Sequence, residues 1–351
     1  MDAEILKQYQ AVKSAAGLLD LSRRGKIRVT GADAKAVLHN ILTQDIQVLE
    51  PGQGAYAALL NAKGQVLADM NVYVLENEIL LDVEEDRDEK TAALIERYII
   101  TEDAKTEVVT SAWAHLSLQG PRSAAILTDF FSGMNFDFSG MAGASLAPAL
   151  SRAGLMKTSR EWHHREAAWQ DVPVQVICKT HTGETGYDLL IPAKAAPAFT
   201  EKLLAVGKSQ GLVPVSEETR EILRIEAGIL RYGRDFDETV LLPETGLEKI
   251  AASATKGCYP GQEVVARIDT YGGLNRKIVK LLVEGKTIPA SGSRIEADQK
   301  EAGKVLSAAW SPALNCPAAL GLLTKGFFEQ PREFSIQTGG EMLKARAQPF
   351  S

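Results

Sequence analysis

Twice along this chain an alternating strand ends in a glycine, passes through small or polar residues and enters a helix with one apolar face. The first copy is GKIRVTG followed by ADAKAVLHNILTQDI, and the second is AHLSLQG followed by PRSAAILTDFF. Side chains alternate across a strand with a period of two and return to one helix face every 3.6 residues, so the change of period marks a strand-to-helix corner. Asp33 stands near the start of the first helix, where a short acceptor suits the exposed N–H groups. The segments after the two copies are also alike. AYAALLN, QVLADMNVYVLE and EILLDVEED read as strands joined by the turn-formers AKG and NE, with the helical DEKTAALIERYII closing the unit. After the second copy come the strands VPVQVICKT and GYDLLIP and the helical AKAAPAFTEKLLAVGKSQG. Each half therefore reads β-α-β-β-(β)-α, the order of a ferredoxin-like α+β unit. Two such halves can share a continuous sheet and leave a cleft between them.

SEETREILRIEAGIL comes next as a further helix, with Ser216 as its N-cap and Gly228 near its end. Beyond Gly273 short strands alternate with Gly, Pro and Ser turns, which predicts an appended β-barrel of roughly 75 residues, with TYGGLN as the linker. The predicted division is residues 1–110 for the first α+β half, 111–272 for the second and 273–351 for the barrel.

Composition narrows the function classes. At 45% hydrophobic and 24% charged residues the chain is an ordinary globular one, and a net charge of −6 gives no global basic footprint, so direct DNA binding is not expected. No apolar run is long enough to span a bilayer, and the first residues lack the pattern of a signal peptide, so neither membrane association nor export is expected and the cytoplasm is the predicted compartment. Cys178, Cys258 and Cys316 are widely spaced with no CxxC pair, which predicts neither a disulfide framework nor a zinc site, and no metal is expected. The adjacent His163 and His164 read as a solvated loop.

Four stretches carry polar residues in arrangements that chemistry can use. In QVLADMNVYV, the residues Val66, Ala68, Met70, Val72 and Val74 share one face, and Asp69 lies on the other with Gln65, Leu67, Asn71 and Tyr73, a surface suited to a polar cleft or to solvent. THTGETGYDLL sets Glu184 between Gly183 and Gly186, where a carboxylate can take two parallel hydrogen bonds from a planar N–H and amino edge, or simply sit exposed in a hairpin turn. RIEAGILRYGRDFDETVLLPETGLE holds Arg224, Arg231 and Arg234 among acids and glycines, either as a solvated face or as an anion-binding path. KGCYPGQEVVARI places Lys256 two residues before Cys258, and nearby positive charge favours a reactive thiolate; an inert turn cysteine is the alternative.

Taken together these stretches resemble the YgfZ family of folate-binding proteins, relatives of a mitochondrial iron-sulfur maturation factor and more distantly of the glycine-cleavage T-protein. The K-G-C-Y-x-G-Q-E run that marks the family is matched by Lys256, Gly257, Cys258, Tyr259, Gly261, Gln262 and Glu263, and the similarity extends from about Leu21 through Arg267. The resemblance implies a T-protein-like α+β fold: two ferredoxin-like halves around a central folate cavity, plus the small C-terminal β-barrel. It implies tetrahydrofolate or a derivative as ligand, with Glu184 on the pterin ring, Tyr187 and Asn71 as further folate contacts, Arg231 or Arg234 on the glutamate tail, and Asp69 and Cys258 as the reactive side chains. T-proteins carry two adjacent aspartates where this chain has Ala68 and Asp69, usually Gly-Gly where it has Gly64 and Gln65, and no KGCYxGQE run. The implied function is accordingly an accessory role in iron-sulfur cluster assembly or repair that indirectly supports tRNA modification, with iron-sulfur enzymes or cluster carriers as partners. A folate-dependent aminomethyltransferase is the alternative, and a non-catalytic scaffold for tRNA or a cluster carrier the second.

Overall fold

The computed structural model describes residues 1–132, 134, 161–330 and 332–348. Seventeen strands among these residues form two open sheets and a closed barrel. The first sheet has the order β3-β4-β5-β2-β6, made of Gly54–Leu60, Val66–Val74, Ile79–Val83, Gly25–Thr30 and Lys105–Val108. The second has the order β11-β1-β7-β10-β9-β8, made of Leu212–Pro214, Ala16–Asp20, Trp113–Gln119, Gly186–Pro192, Val172–Cys178 and His164–Trp169. All neighbours are antiparallel except β1 and β11. The α+β expectation holds, with two departures: the halves carry separate sheets rather than a continuous one, and β1, near the N-terminus, pairs into the second sheet. Its AGLLD run has no alternation to announce a strand.

Alternation along each strand decides what the two sheets present. Ile27 and Val29 of β2, Ala68, Met70 and Val72 of β4, and Ile79, Leu81 and Val83 of β5 pack beneath the helices Ala34–Ile41 and Asp88–Glu96. Leu116 and Leu118 of β7 and Tyr187, Leu189 and Ile191 of β10 do the same beneath Ser123–Phe130 and Ala196–Gly207. The opposite faces look at one another. Tyr73, Leu80, Ile177 and Leu190 form an apolar bridge between the sheets, while Lys26, Asp69, Asn71, Asp82, His115, Ser117, Gln119 and Asp188 are polar and buried there. His164 opens β8 and is buried, so the solvated loop predicted for it is corrected; it stacks edge-on against Tyr73, with ring centroids 5.7 Å apart.

The helix Glu217–Ala227 is capped as expected: the Ser216 hydroxyl accepts from the Thr219 N–H, and Gly228 ends it in the left-handed conformation. From there the chain runs to the helix Gln262–Tyr271 and packs Tyr232, Phe236, Leu242 and Tyr259 between the first sheet and the barrel. The barrel strands are β12 (Arg276–Val283), β13 (Arg294–Ala297), β14 (Lys300–Ser311), β15 (Cys316–Thr324), β16 (Glu333–Thr338) and β17 (Glu341–Gln348), and they close in the order β12-β15-β14-β13-β16-β17 around Leu281, Ile295, Phe334 and Ile336. Among the described residues no helix is long and apolar enough to cross a membrane.

Candidate functional site

Where the two sheets and the segment after Gly228 meet, a cavity opens. Tyr56, Trp162, Ile229, Leu230, Leu247 and Ile250 give it apolar and aromatic walls; Asp69, Asn71, Arg24, Glu84, Arg220 and Arg231 give it charge, and Lys179, Thr180 and His181 complete one side. Asp69 reaches it because β4 turns its even-numbered side chains into the first core and its odd-numbered ones inward. The Tyr56 hydroxyl donates to Asp69 Oδ2 at 2.7 Å, across the β3–β4 pairing. Burial raises the Asp69 carboxyl to about 6, with the Glu84 charge adding and the Tyr56 hydrogen bond and Arg24 opposing. It is thus ionised at neutral pH yet holds a proton at a cost accessible to catalysis.

A charged frame surrounds it. Arg24 donates to both oxygens of Asp82 at 2.8–3.1 Å and bonds Glu84. Burial alone would lift the Asp82 and Glu84 carboxyls; Arg24 together with Lys26 and His115 at Asp82, and with Arg231 and Arg220 at Glu84, outweighs it, so that Asp82 falls far below its ordinary value and Glu84 falls to about 2. Asn71 is a strut in this frame, accepting from Trp162 Nε1 at 2.8 Å and donating to Asp82 Oδ2 at 2.9 Å. Arg231 lies on the cavity wall, as expected of a tail-binding arginine, but its donors go to Glu84, Glu217 and Glu221 at 2.6–3.2 Å. Arg220 differs: its guanidinium is buried, one Nη donates to Glu217 at 3.0 Å, and Nε has no partner. A buried unpaired donor is costly, so this atom is where an incoming carboxylate gains most. Sequence reasoning misses Arg220, Tyr56 and Trp162; the spacing of Arg220 and Arg224, four apart on an amphipathic helix, is the available signal.

Other expected residues lie elsewhere. Tyr187, expected as a folate contact, packs in the core beside Leu118 and Leu189, and on β10 it is Asp188 that faces the other sheet. Arg234 is half-exposed and pairs with Glu221 at 3.1 Å, away from the cavity lining. Glu184 borders a second pocket with Thr182, Gly183, Glu226 and Lys280, and its carboxylate is bound by Lys13 Nζ at 2.5 Å. The two pockets adjoin: Ala227 lines both, and Thr180–His181 on one runs directly into Thr182–Glu184 on the other.

The KGCYPGQE run clasps the outside of the first sheet. Lys256 is buried, and its ammonium donates to the carbonyls of His39 and Leu42 at the end of the helix Ala34–Ile41 and lies 3.4 Å from that of Gln44. Burial lowers it to about 8, partly offset by Asp45. Tyr259 packs between the first sheet and the barrel, under that ammonium, 5.1 Å from ring centroid to Nζ. Gly261, at φ +79°, brings the backbone against the β3–β4 turn, where a Cβ would stand 2.5 Å from the Asn61 carbonyl. Gln262 and Glu263 open the next helix, and nothing lies within 4 Å of a Cβ added at Gly257. Cys258 is exposed and is not among the residues lining the cavity.

Residues 1–255 match the family model described as the GCVT N-terminal domain, and residues 276–350 match the glycine cleavage T-protein C-terminal barrel domain. The chain belongs to this family. Among its relatives are an aminomethyltransferase of Geobacillus kaustophilus, 28% identical over 99% of this chain and 90% of that one, and an aminomethyltransferase of Moorella thermoacetica, 29% identical over 98% and 88%. The crystal structure of the glycine cleavage system aminomethyltransferase T from Bartonella henselae superposes with a TM-score of 0.82 at 23% identity, over 99% of this chain and 89% of that one, and so shares its fold. These matches overturn the iron-sulfur accessory role: across nearly the whole chain the likeness is to aminomethyltransferases, and membership is shown for the T-protein family rather than for its YgfZ branch. The links to cluster carriers and tRNA modification fall with it.

Proposed function

We propose that this chain is a folate-dependent aminomethyltransferase of the glycine-cleavage type, with the Asp69 cavity as its active site. The observation that carries the reading is a buried carboxylate tuned to about 6 and held by Tyr56, in a cavity whose aromatic wall and unpaired Arg220 Nε suit a flat heteroaromatic ligand with an anionic tail. Tetrahydrofolate supplies a nucleophilic nitrogen that accepts the one-carbon unit. Two folate nitrogens would bond the methylene carbon as its bonds to the amino nitrogen and to the carrier sulfur break, the two N–H protons ending on the released ammonia and thiol. The protein does the rest. Asp69 takes up such a proton in passage or stabilises positive charge developing at the methylene, and Tyr56 fixes which oxygen does so. Arg24 and Glu84 keep the surrounding frame ionised and rigid, and the walls exclude water from an electrophilic carbon. Arg220 receives a tail carboxylate in preference to the saturated Arg231. Glu184 takes the pterin edge through the adjoining pocket, exchanging its Lys13 partner for the ligand. Cys258, outside the cavity, has no part in transfer, and the stretches 1–110, 111–272 and 273–351 act as two site-forming halves and a barrel that braces them.

The test is a transfer assay with purified protein, tetrahydrofolate and an aminomethylated lipoyl carrier protein, reading ammonia release and methylene-tetrahydrofolate. Turnover by the wild-type chain that Asp69→Asn lowers at least about 100-fold is the expected result. Failure of the wild-type chain to release ammonia from that donor, with tetrahydrofolate bound, overturns the proposal.

A further inference from the structure

Behind the cavity wall, His115 on β7, His181 in the turn after β9 and Asp188 on β10 converge. We propose that these three side chains form a binding site for a first-row divalent metal ion. His181 Nε2 lies 2.9 and 3.1 Å from the two oxygens of Asp188, His115 Nε2 lies 3.0 Å from the nearer one, and one ligand atom from each residue falls within 4.8 Å of the others. Ligand atoms about 2.1 Å from one metal ion stand roughly 3.0–3.4 Å apart at octahedral or tetrahedral angles, close to the separation of each histidine nitrogen from Asp188. Two imidazoles and one carboxylate are a three-ligand set that leaves coordination positions open.

Hydrogen bonding alone leaves this cluster unsatisfied. His115 is 1% exposed, yet neither ring nitrogen makes a hydrogen bond of acceptable geometry; the 3.0 Å contact to Asp188 is off line. Asp188 is fully buried, and among the described residues no guanidinium or ammonium bonds its carboxylate: Arg24 is committed to Asp82 and Glu84, and Lys26 Nζ lies 3.3 Å from Asp82. A cation between the three groups would satisfy the orphaned His115 nitrogen and give a full positive charge to a carboxylate whose side-chain hydrogen-bond and ion-pair partners among the described residues are His181 and His115. His115 Nδ1 faces Asp82 Oδ1 at 3.7 Å, the side on which metal-bound histidines find a second carboxylate. His181 also lines the cavity, so the cluster lies against its wall. Cysteine spacing carries no hint of such a site, since its ligands come from three separated segments and include no thiol.

The inference is independent of the transfer reading, and its test reads metal rather than turnover. Full-length protein stripped with chelator is titrated with Co(II), following visible absorption, and with Zn(II) by calorimetry. One equivalent of each is expected, Zn(II) displacing Co(II), with affinity weakened at least tenfold in His181→Gln and in His115→Gln. Circular dichroism establishes that each variant is folded, and His181→Gln, at the cavity edge, is the decisive one if His115→Gln is not. Absence of saturable binding at one equivalent, or binding unchanged in folded His181→Gln, overturns the site and leaves a His-Asp-His hydrogen-bonded chain in its place.

Discussion

Asp69 and Cys258 are the two side chains whose surroundings in the sequence most suggest chemistry, and the fold treats them oppositely. Asp69 is buried with its titration displaced, in a cavity assembled from both sheets and the segment beyond Gly228. Cys258 is exposed, on a turn whose neighbours Lys256, Tyr259 and Gly261 each meet a packing demand. Keeping a carboxylate ionised out of water costs free energy, which a fold sustains where the charge is used; an exposed thiol costs nothing. A specific string of residues can therefore mark a joint in the structure, and the ordinary-looking strand beside it the site.

That contrast is broken most directly at Asp69. We predict that Asp69→Asn lowers kcat/KM for transfer by about 10²–10⁴-fold, the range typical of losing a positioned acid–base group. In the wild type, activity should fall as pH drops through about 6, as the carboxylate takes up its proton, and this limb should vanish in the variant. Stability should move the other way. The folded-state pKa lies above the unfolded value, so ionisation destabilises the fold increasingly as pH rises through that interval; above pH 7 Asp69→Asn should be more stable by about 2 kcal/mol, a difference that disappears in acid. Urea unfolding at pH 5 and pH 8 checks the sign, and equal stability gain at both would remove the argument that Asp69 is held in strain for function.

At Arg220 the expected effect is on binding. Arg220→Met should weaken tetrahydrofolate by about 10–100-fold, as loss of a charge-assisted pair does, with kcat little changed, while the same change at exposed Arg234 should do almost nothing. Equal losses at both positions would shift the tail site toward the surface. On the motif side, Lys256→Met should lower stability by about 2 kcal/mol through orphaned helix-end carbonyls, read by urea unfolding, with KM unaffected. A change in folate affinity without loss of stability would instead tie the motif to the cavity.

How far the sequence can be read depends on whether a contact is local. The alternation in QVLADMNVYV places Asp69 opposite the core under the first sheet's helices, Ser216 and Gly228 delimit their helix, and turns punctuate the short strands of the C-terminal barrel, because each is set by neighbours within a few residues. At Tyr187 one step along the strand decides the face, putting Asp188 inward and the tyrosine in the core, which the resemblance alone does not reveal. The Arg24–Asp82–Asn71–Trp162 frame and the pairing of Tyr56 with Asp69 are invisible in the sequence, since they join β2, β5, β4, the chain before β8 and β3 through inter-strand register and sheet-to-sheet packing that no local pattern encodes.

The smallest expected effect is at the residue whose motif is most distinctive. Cys258→Ala should leave kcat/KM within about twofold and stability within about 0.5 kcal/mol, as exposed substitutions away from special backbone features usually do. The substitution is informative because it isolates the thiol from its surroundings. Lys256, Tyr259 and Gly261 keep the motif's grip on the helix end and the β3–β4 turn, so the backbone around the replaced side chain stays as it is. A tenfold loss of transfer in a folded Cys258→Ala protein would mean that the exposed turn meets the reacting centre during turnover. The division between a catalytic interior and a structural exterior would then be wrong at the motif, while the Asp69 variant would still report on the cavity independently.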